Sequence, residues 1–422
     1  MLRQSEPSGD LRALLDRFGA SLRALHHPPH QERVSTVKIR AAVLEEFGQP
    51  LTIREVDLAE PRAGEVLVRL HACGVCHTDL YTASGADPTG YAPCVLGHEG
   101  AGVVERVGDG VTLVQPGDHV VTLFAPECGQ CVHCRDGRTN RCTAIRDQQN
   151  AGYLPDGTTR LSLDGEPLRH FMGTSTFAEY TVMPEIALAK IDKAAPLEGA
   201  SIFACGLSTG LGAAIYTAGV EQGATVAVFG CGLVGLGAVA GARIQGASRI
   251  VAIDLADVRL QSAKHHGATD LLRIVPDAPG NGEARPGADG ALETSDAVAW
   301  IKAQTDGFGA DYTFEATGNV VVMGQAVEAA REAWGLATMI GVAGKGETLD
   351  IVPRLLITGR RVTGSSFGGV KGRTQVPKLV DRWLAGDVDV PSLLSHEITL
   401  DEVNHGFDLM HHQDGIRSII KY

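Results

Sequence analysis

Short runs of alternating apolar and polar positions fill the first half of the chain. AAVLEEF (41–47), EVLVRLHACG (65–74) and GAGVVERVG (100–108), with turn signals such as QPGDHV between them, predict a β-rich region. From about Leu207 the pattern changes. TVAVFG, RIVAID, DYTFEATG and ATMIGVAG are compact apolar runs, each preceded or followed by a helical stretch. Alternating strands and helices build a parallel, doubly wound sheet. The alternation lasts to about Ser366; from Phe367 the chain is expected to return to the first region and close with a strand at SIIKY. The predicted class is α/β, with domains at 37–206 plus 367–422 and at 207–366.

Two segments break the pattern. Residues 276–296, PDAPGNGEARPGADGALETSD, are rich in Pro, Gly, Ala and acids and predict a mobile surface loop. Residues 1–36 mix arginines with acids and lack a signal-type apolar core. They read as a disordered leader, with an amphipathic partner-binding helix between Leu11 and Leu25 as the alternative. The 422 residues carry a formal net charge of −13, which argues against nucleic-acid or anionic-membrane partners. No segment is apolar over the length a bilayer demands. A small-molecule substrate and a cytoplasmic setting are the expectation.

The first chemistry to stand out follows the strand TVAVFG. Gly230, Gly232 and Gly235 lie in GCGLVG, before the small-residue stretch LGAVAGARIQG. In a strand–turn–helix this spacing makes a dinucleotide site: a tight turn, a bare backbone for the pyrophosphate, and close packing of helix on strand. The second strand ends in Asp254, roughly 20 residues further on, where an acid bonds ribose hydroxyls and repels a 2′-phosphate. NAD rather than NADP is therefore the expected cofactor, with Arg259 a few residues later as a cation that stands against that preference.

Cysteines supply the second chemistry. Cys128, Cys131, Cys134 and Cys142 fall within CGQCVHCRDGRTNRC, and four thiolates so close repel one another unless a soft tetrahedral cation neutralises them. A site closed by four thiolates is structural. Cys76 in GVCHTD, His98 in GHEGAG and Cys205 in ACGLSTG make a different set, two thiolates and an imidazole, which leaves one zinc position open for a substrate oxygen. Asp79 is placed to orient His98, and Glu99 adds a carboxylate beside the metal. Two zinc ions per chain are expected. Cys73, Cys94 and Cys231 read as buried or incidental thiols.

GVCHTD, SGADP, LGHEGAG, the cysteine quartet, MGTSTFAEY, GLSTG, GCGLVGLG and SSFGG together resemble the zinc-dependent medium-chain alcohol dehydrogenases, and specifically the class III branch of S-(hydroxymethyl)glutathione dehydrogenases. The likeness runs from about residue 38 to Tyr422. It implies a GroES-like β-rich catalytic domain beside a Rossmann domain, assembly as a homodimer or homotetramer, and formaldehyde detoxification. It also implies roles. Cys76, His98 and Cys205 match catalytic zinc ligands, and Glu99 matches a carboxylate that approaches the metal when the site rearranges. Thr78 matches a proton-relaying hydroxyl, Tyr81 the end of that relay, Thr209 a residue behind the nicotinamide, and His77 and Arg417 pyrophosphate contacts.

Asp87 and Arg146 match substrate residues of the class III branch, Arg146 the arginine that binds a glutathione carboxylate. Two departures stand against them. Thr89 replaces the usual glutamate, and Glu332 replaces a lysine that holds glutathione carboxylates, which reverses a charge. The resemblance thus implies NAD-linked oxidation of S-(hydroxymethyl)glutathione with weakened hold on the glutathione tail. Two other readings stay open: a general primary-alcohol dehydrogenase, and a catalytically silent protein that binds zinc and NAD.

Overall fold

The computed structural model describes residues 35–287 and 289–422. The expected leader lies almost wholly outside them, as does the alternative helix between Leu11 and Leu25. Thr36 already opens the first strand.

Two β-systems carry the first part of the chain. Strands β1 (Thr36–Leu44), β2 (Thr52–Ala59), β7 (Leu161–Leu163), β8 (Glu166–His170) and β4 (Cys94–Val95) close a small barrel. A seven-stranded sheet lies beside it, in the order β10 (Leu188–Lys190), β6 (His119–Thr122), β5 (Glu99–Val107), β3 (Glu65–Gly74), β20 (Arg417–Lys421) and β19 (Leu394–Ile398), with β9 (Tyr180–Pro184) also paired to β3. Eight of the ten positions of β3 are buried, because the strand is covered on both faces. The chain's last strand, β20, runs antiparallel to β3 with Ile420 opposite Cys73. This pairing brings Arg417 back to the segment that bears Cys76.

The third system is an eight-stranded sheet: β14 (Arg285–Pro286), β15 (Leu292–Thr294), β13 (Asp270–Ile274), β12 (Arg249–Asp254), β11 (Thr225–Phe229), β16 (Tyr312–Glu315), β17 (Leu336–Met339) and β18 (Arg361–Gly364). All pairs are parallel except β14 with β15. The strand order reverses at β11, between β12 and β16, which opens a crevice at the strands' carboxyl ends.

The surface loop expected at 276–296 is instead partly sheet. β15 pairs in parallel with β13, placing Leu292 opposite Leu272, and Thr294 is fully buried. Its composition reads as loop because the strand is only three residues long and is held by side chains. The Thr294 hydroxyl donates to the carbonyls of Pro279 and Glu283, and Arg273 and Arg285 both pair with Glu293.

Barrel and central sheet are joined by a buried ion pair. The guanidinium of Arg160, with no exposed side-chain surface, meets Glu65 at the start of β3 through two bonds of 2.5 and 2.8 Å and also reaches Asp156 at 2.7 Å. Removing one partner strands a desolvated charge, which typically costs about 3–5 kcal/mol. Arg160→Ala is therefore expected to lower unfolding free energy by about that amount in urea titration. The double variant Arg160→Met/Glu65→Met should lose less than either single change, since neither charge is then left alone.

Candidate active site and metal centres

Cys76 caps the helix His77–Ala83, and Asp79 closes the first turn: Asp79 Oδ2 accepts the Cys76 N–H at 3.1 Å. The other oxygen, Oδ1, accepts the Gly97 N–H at 3.1 Å and lies 3.0 Å from His98 Nδ1. An imidazole nitrogen facing a carboxylate carries the proton, which leaves Nε2 as the electron-pair donor. That Nε2 is buried without a hydrogen-bond partner. Ligand atoms of Cys76, His98, Glu99 and Cys205 all lie within 4.8 Å of one another. A proton shared between the two cysteines holds Cys76 well below the usual thiol range and Cys205 well above it. Two sulfurs, one unpartnered imidazole nitrogen and a carboxylate suit a zinc ion.

Glu99 stands behind this cluster. Its Oε1 accepts the Gly206 N–H at 3.2 Å and lies 3.3 Å from Arg417 Nη2, while Oε2 has no partner. Burial pushes its carboxyl up to about 7 against the pull of Arg417. Arg417 also donates to the Val75 carbonyl, so its guanidinium is anchored from below.

The sulfurs of Cys128, Cys131, Cys134 and Cys142 also converge within 4.8 Å. The pairs Cys128–Cys134 and Cys131–Cys142 are 3.9 Å apart, far beyond the roughly 2.05 Å of a disulfide. Burial raises the Cys131 thiol, but N–H groups of Thr143 and Cys134 point at its sulfur and bring it down to about 5. Such a set is prepared for a cation.

A cavity of about 1000 Å³ joins the open cluster to the glycine turn. Cys76, His98 and Cys205 line one end; Gly230, Gly232, Asp254 and Arg259 line the other; His77, Thr78, Tyr81, Thr209 and Arg417 lie along the walls. Gly230 has φ +88°, a conformation that favours glycine, and a Cβ on Gly232 would meet nothing within 4 Å. That is the bare backbone a pyrophosphate needs. A Cβ on Gly235 would instead sit 1.8 Å from the Gly230 carbonyl, so this glycine serves helix–strand contact and is not part of the cavity wall. Asp254 accepts N–H bonds from Cys231, Leu255 and Ala256 at 2.7, 2.7 and 3.0 Å, and the buried Nε of Arg259 has no partner.

Asp87 and Arg146 lie elsewhere. They line a side cavity of about 280 Å³ that shares Phe124, Met172 and Ser366 with the large one. Thr89 lines it as well. The Asp87 carboxylate is engaged by the Thr82 hydroxyl at 2.9 Å and by Thr89 at 2.8 Å, and Arg146 donates to the Arg141 carbonyl at 2.8 Å. Glu332 lines neither cavity; it is exposed in the turn after the helix Val320–Ala329, so the expected charge reversal falls outside both walls. Sequence reasoning passed over Asn140 and Arg141, which also line the side cavity. Both stand inside the cysteine motif, where metal spacing was the only signal drawn.

Residues 62–193 match the alcohol dehydrogenase GroES-like domain and residues 234–385 the zinc-binding dehydrogenase domain. An S-(hydroxymethyl)glutathione dehydrogenase of Escherichia coli is 48% identical over 386 residues, 92% of this chain and 100% of the relative. The chain belongs to the zinc-dependent alcohol dehydrogenases, in the family of S-(hydroxymethyl)glutathione dehydrogenases. An alcohol dehydrogenase zinc-binding domain protein from Burkholderia ambifaria superposes on this dehydrogenase with a TM-score of 0.83 at 34% identity, covering 92% of this chain and 99% of that one. Benzyl alcohol dehydrogenase from Acinetobacter calcoaceticus gives 0.81 at 31%, over 91% and 99%. The fold is thus the GroES-like and Rossmann combination, and the matched family is one of zinc-binding dehydrogenases.

An open and a closed metal set should separate by mutation. Cys205→Ser is expected to abolish turnover and leave a folded protein that retains one zinc, whereas Cys131→Ser should lower thermal stability and soluble yield. Metal analysis on purified variants, with two zinc ions per wild-type chain as the reference, is the check.

Proposed function

We propose that this alcohol dehydrogenase oxidises S-(hydroxymethyl)glutathione to S-formylglutathione with NAD, and that it also accepts longer primary alcohols. The observation that carries this reading is the side cavity: Asp87 and Arg146 stand where a zwitterionic, carboxylate-bearing tail can lie while its hydroxymethyl end enters the large cavity past Phe124 and Met172. When bound by Cys76, His98 and Cys205, zinc supplies Lewis acidity that acidifies the substrate hydroxyl, and NAD supplies the hydride acceptor. Asp79 keeps His98 in the donor tautomer. Thr78 takes the hydroxyl proton and passes it towards Tyr81 and solvent, while Phe124 and Met172 exclude water from the reacting carbon. Thr209 backs the nicotinamide, and His77 and Arg417 serve the pyrophosphate. Loss of the proton from the hydroxyl oxygen and of a hydride from the carbon that bears it leaves a carbonyl, which in a hemithioacetal is a thioester.

The reading includes a homo-oligomer in the cytoplasm. Among the described residues β18 is paired on one side only, and Val342, Val352 and Ile357 in the flanking segments are exposed, Ile357 by 83%. All nine cysteines are free thiols, two sets of them gathered for a metal, which suits a reducing compartment.

Two measurements test the proposal. A charge-assisted contact is worth about 1.5–3 kcal/mol, so Arg146→Ala should cut kcat/KM for S-(hydroxymethyl)glutathione about ten-fold or more and spare 1-octanol. Equal losses on both, or wild-type activity confined to simple alcohols, would favour the general alcohol dehydrogenase. Asp254→Ala should raise the KM for NAD and narrow the preference over NADP, since the carboxylate at the end of β12 no longer repels a 2′-phosphate beside Arg259. Wild-type use of both cofactors with equal efficiency would remove the ribose role of Asp254.

A further inference from the structure

The side cavity holds a second guanidinium. Arg141 lines it together with Arg146 and Asn140. Its backbone is pinned, because the Arg141 carbonyl accepts bonds from both His133 Nδ1 and Arg146 Nη2. Its side chain is not: the one side-chain bond, to Ser366 Oγ, is long at 3.4 Å. Among the described residues neither Arg141 nor Arg146 has a carboxylate within 4.0 Å, although Arg40, Arg54, Arg62, Arg160, Arg249 and Arg273 all do. The acid in the same cavity, Asp87, is engaged by Thr82 and Thr89. Two like charges that share a small cavity repel, and that arrangement is relieved when an anion lies between them.

We propose that Arg141 is a second anion-recognising residue of the side cavity, so that the pair Arg141–Arg146 selects substrates whose tail carries two carboxylates. The inference rests on the function proposed above and deepens it. A planar guanidinium grips a carboxylate through two parallel bonds, so two arginines distinguish a dicarboxylate tail from a monocarboxylate more sharply than one can. Ser366, which lines both cavities, accepts from Arg141 and places this guanidinium on the passage between them. A purely structural role is the alternative: four thiolates around one divalent cation leave surplus negative charge, and Arg141 adjoins Cys142.

Arg141→Met keeps an unbranched, flexible stem and removes the guanidinium with its charge. It would be compared with Arg141→Lys and wild type on formaldehyde adducts of glutathione, N-acetylcysteine and 2-mercaptoethanol, which carry two, one and no carboxylates, and on 1-octanol. Zinc content would be measured on each preparation. Arg141→Met is expected to raise the KM for the glutathione adduct about ten-fold or more with kcat retained, to affect the N-acetylcysteine adduct less, and to leave the other two substrates and both zinc ions unchanged. Arg141→Lys should recover part of the loss. Added salt should raise the KM for the glutathione adduct more steeply in the wild type than in the Met variant, which retains Arg146. An unchanged KM, equal losses on all substrates, or loss of one zinc would overturn the assignment. Should the wild type oxidise no thiol adduct, 2-(10-hydroxydecyl)malonate, with two tail carboxylates, compared with 12-hydroxydodecanoate, with one, separates the two ideas. A KM that depends on Arg141 more for the malonate than for the monoacid supports the anion role and removes the thiol function; a KM for the malonate that does not depend on Arg141 removes the anion role too.

Discussion

The Asp79 carboxylate has no exposed surface, yet it serves two segments of chain at once: the turn that begins at Cys76 and the strand entry that carries Gly97 and His98. Burying an acid is costly unless its lone pairs are filled. Two backbone N–H bonds and one imidazole fill them here. Because those three partners come from the segments that bear Cys76 and His98, the requirement to satisfy one buried charge also fixes the separation and tautomer of two ligands. A change at Asp79 would therefore disturb both at once, through position and through the electron-pair donor nitrogen of His98.

The third ligand is positioned by contact of backbone with backbone. Cys205 directly precedes the helix Gly206–Gly212, which packs on the helix Leu233–Ile244 that opens at the dinucleotide turn. A Cβ at Gly210 would lie 2.1 Å from the Val234 carbonyl and 2.8 Å from the Gly237 Cα. No side chain fits between them. The two helices thus approach as closely as polypeptide allows, and the open zinc cluster and the cofactor turn share the walls of one cavity. Hydride transfer needs reacting groups held in one geometry, and this contact supplies the rigid spacing.

Substrate selection is set apart from this core. The side cavity draws on the loop of Asp87, the cysteine-rich lobe and Ser366, three segments that meet the reacting end at Phe124 and Met172. Chemistry can stay constant while the tail-binding residues vary, since the two sets of side chains share only a wall. Thr89, where the resemblance implies glutamate, is such a variation: it lines the side cavity and not the one that holds the open zinc cluster and the cofactor turn.

Some of this was legible from residue order. The cysteine quartet is local, its four thiols lying within fifteen residues, so spacing alone pointed to one ion. The strand–glycine–helix signal is equally local, since the turn conformation and the packing at Gly230 and Gly235 are dictated by neighbouring atoms. Cys76, His98 and Cys205 are far apart in the chain, and only their flanking motifs and the family resemblance pointed to a set. Tertiary structure alone decided the rest. It turned part of 276–296 into sheet, because hydrogen bonds from Thr294 and ion pairs to Glu293 outweigh a composition that favours loop. It left Glu332 outside both cavities and brought Arg141 into one of them, because a charged side chain's surroundings depend on which distant segments fold against it, and no local pattern records that.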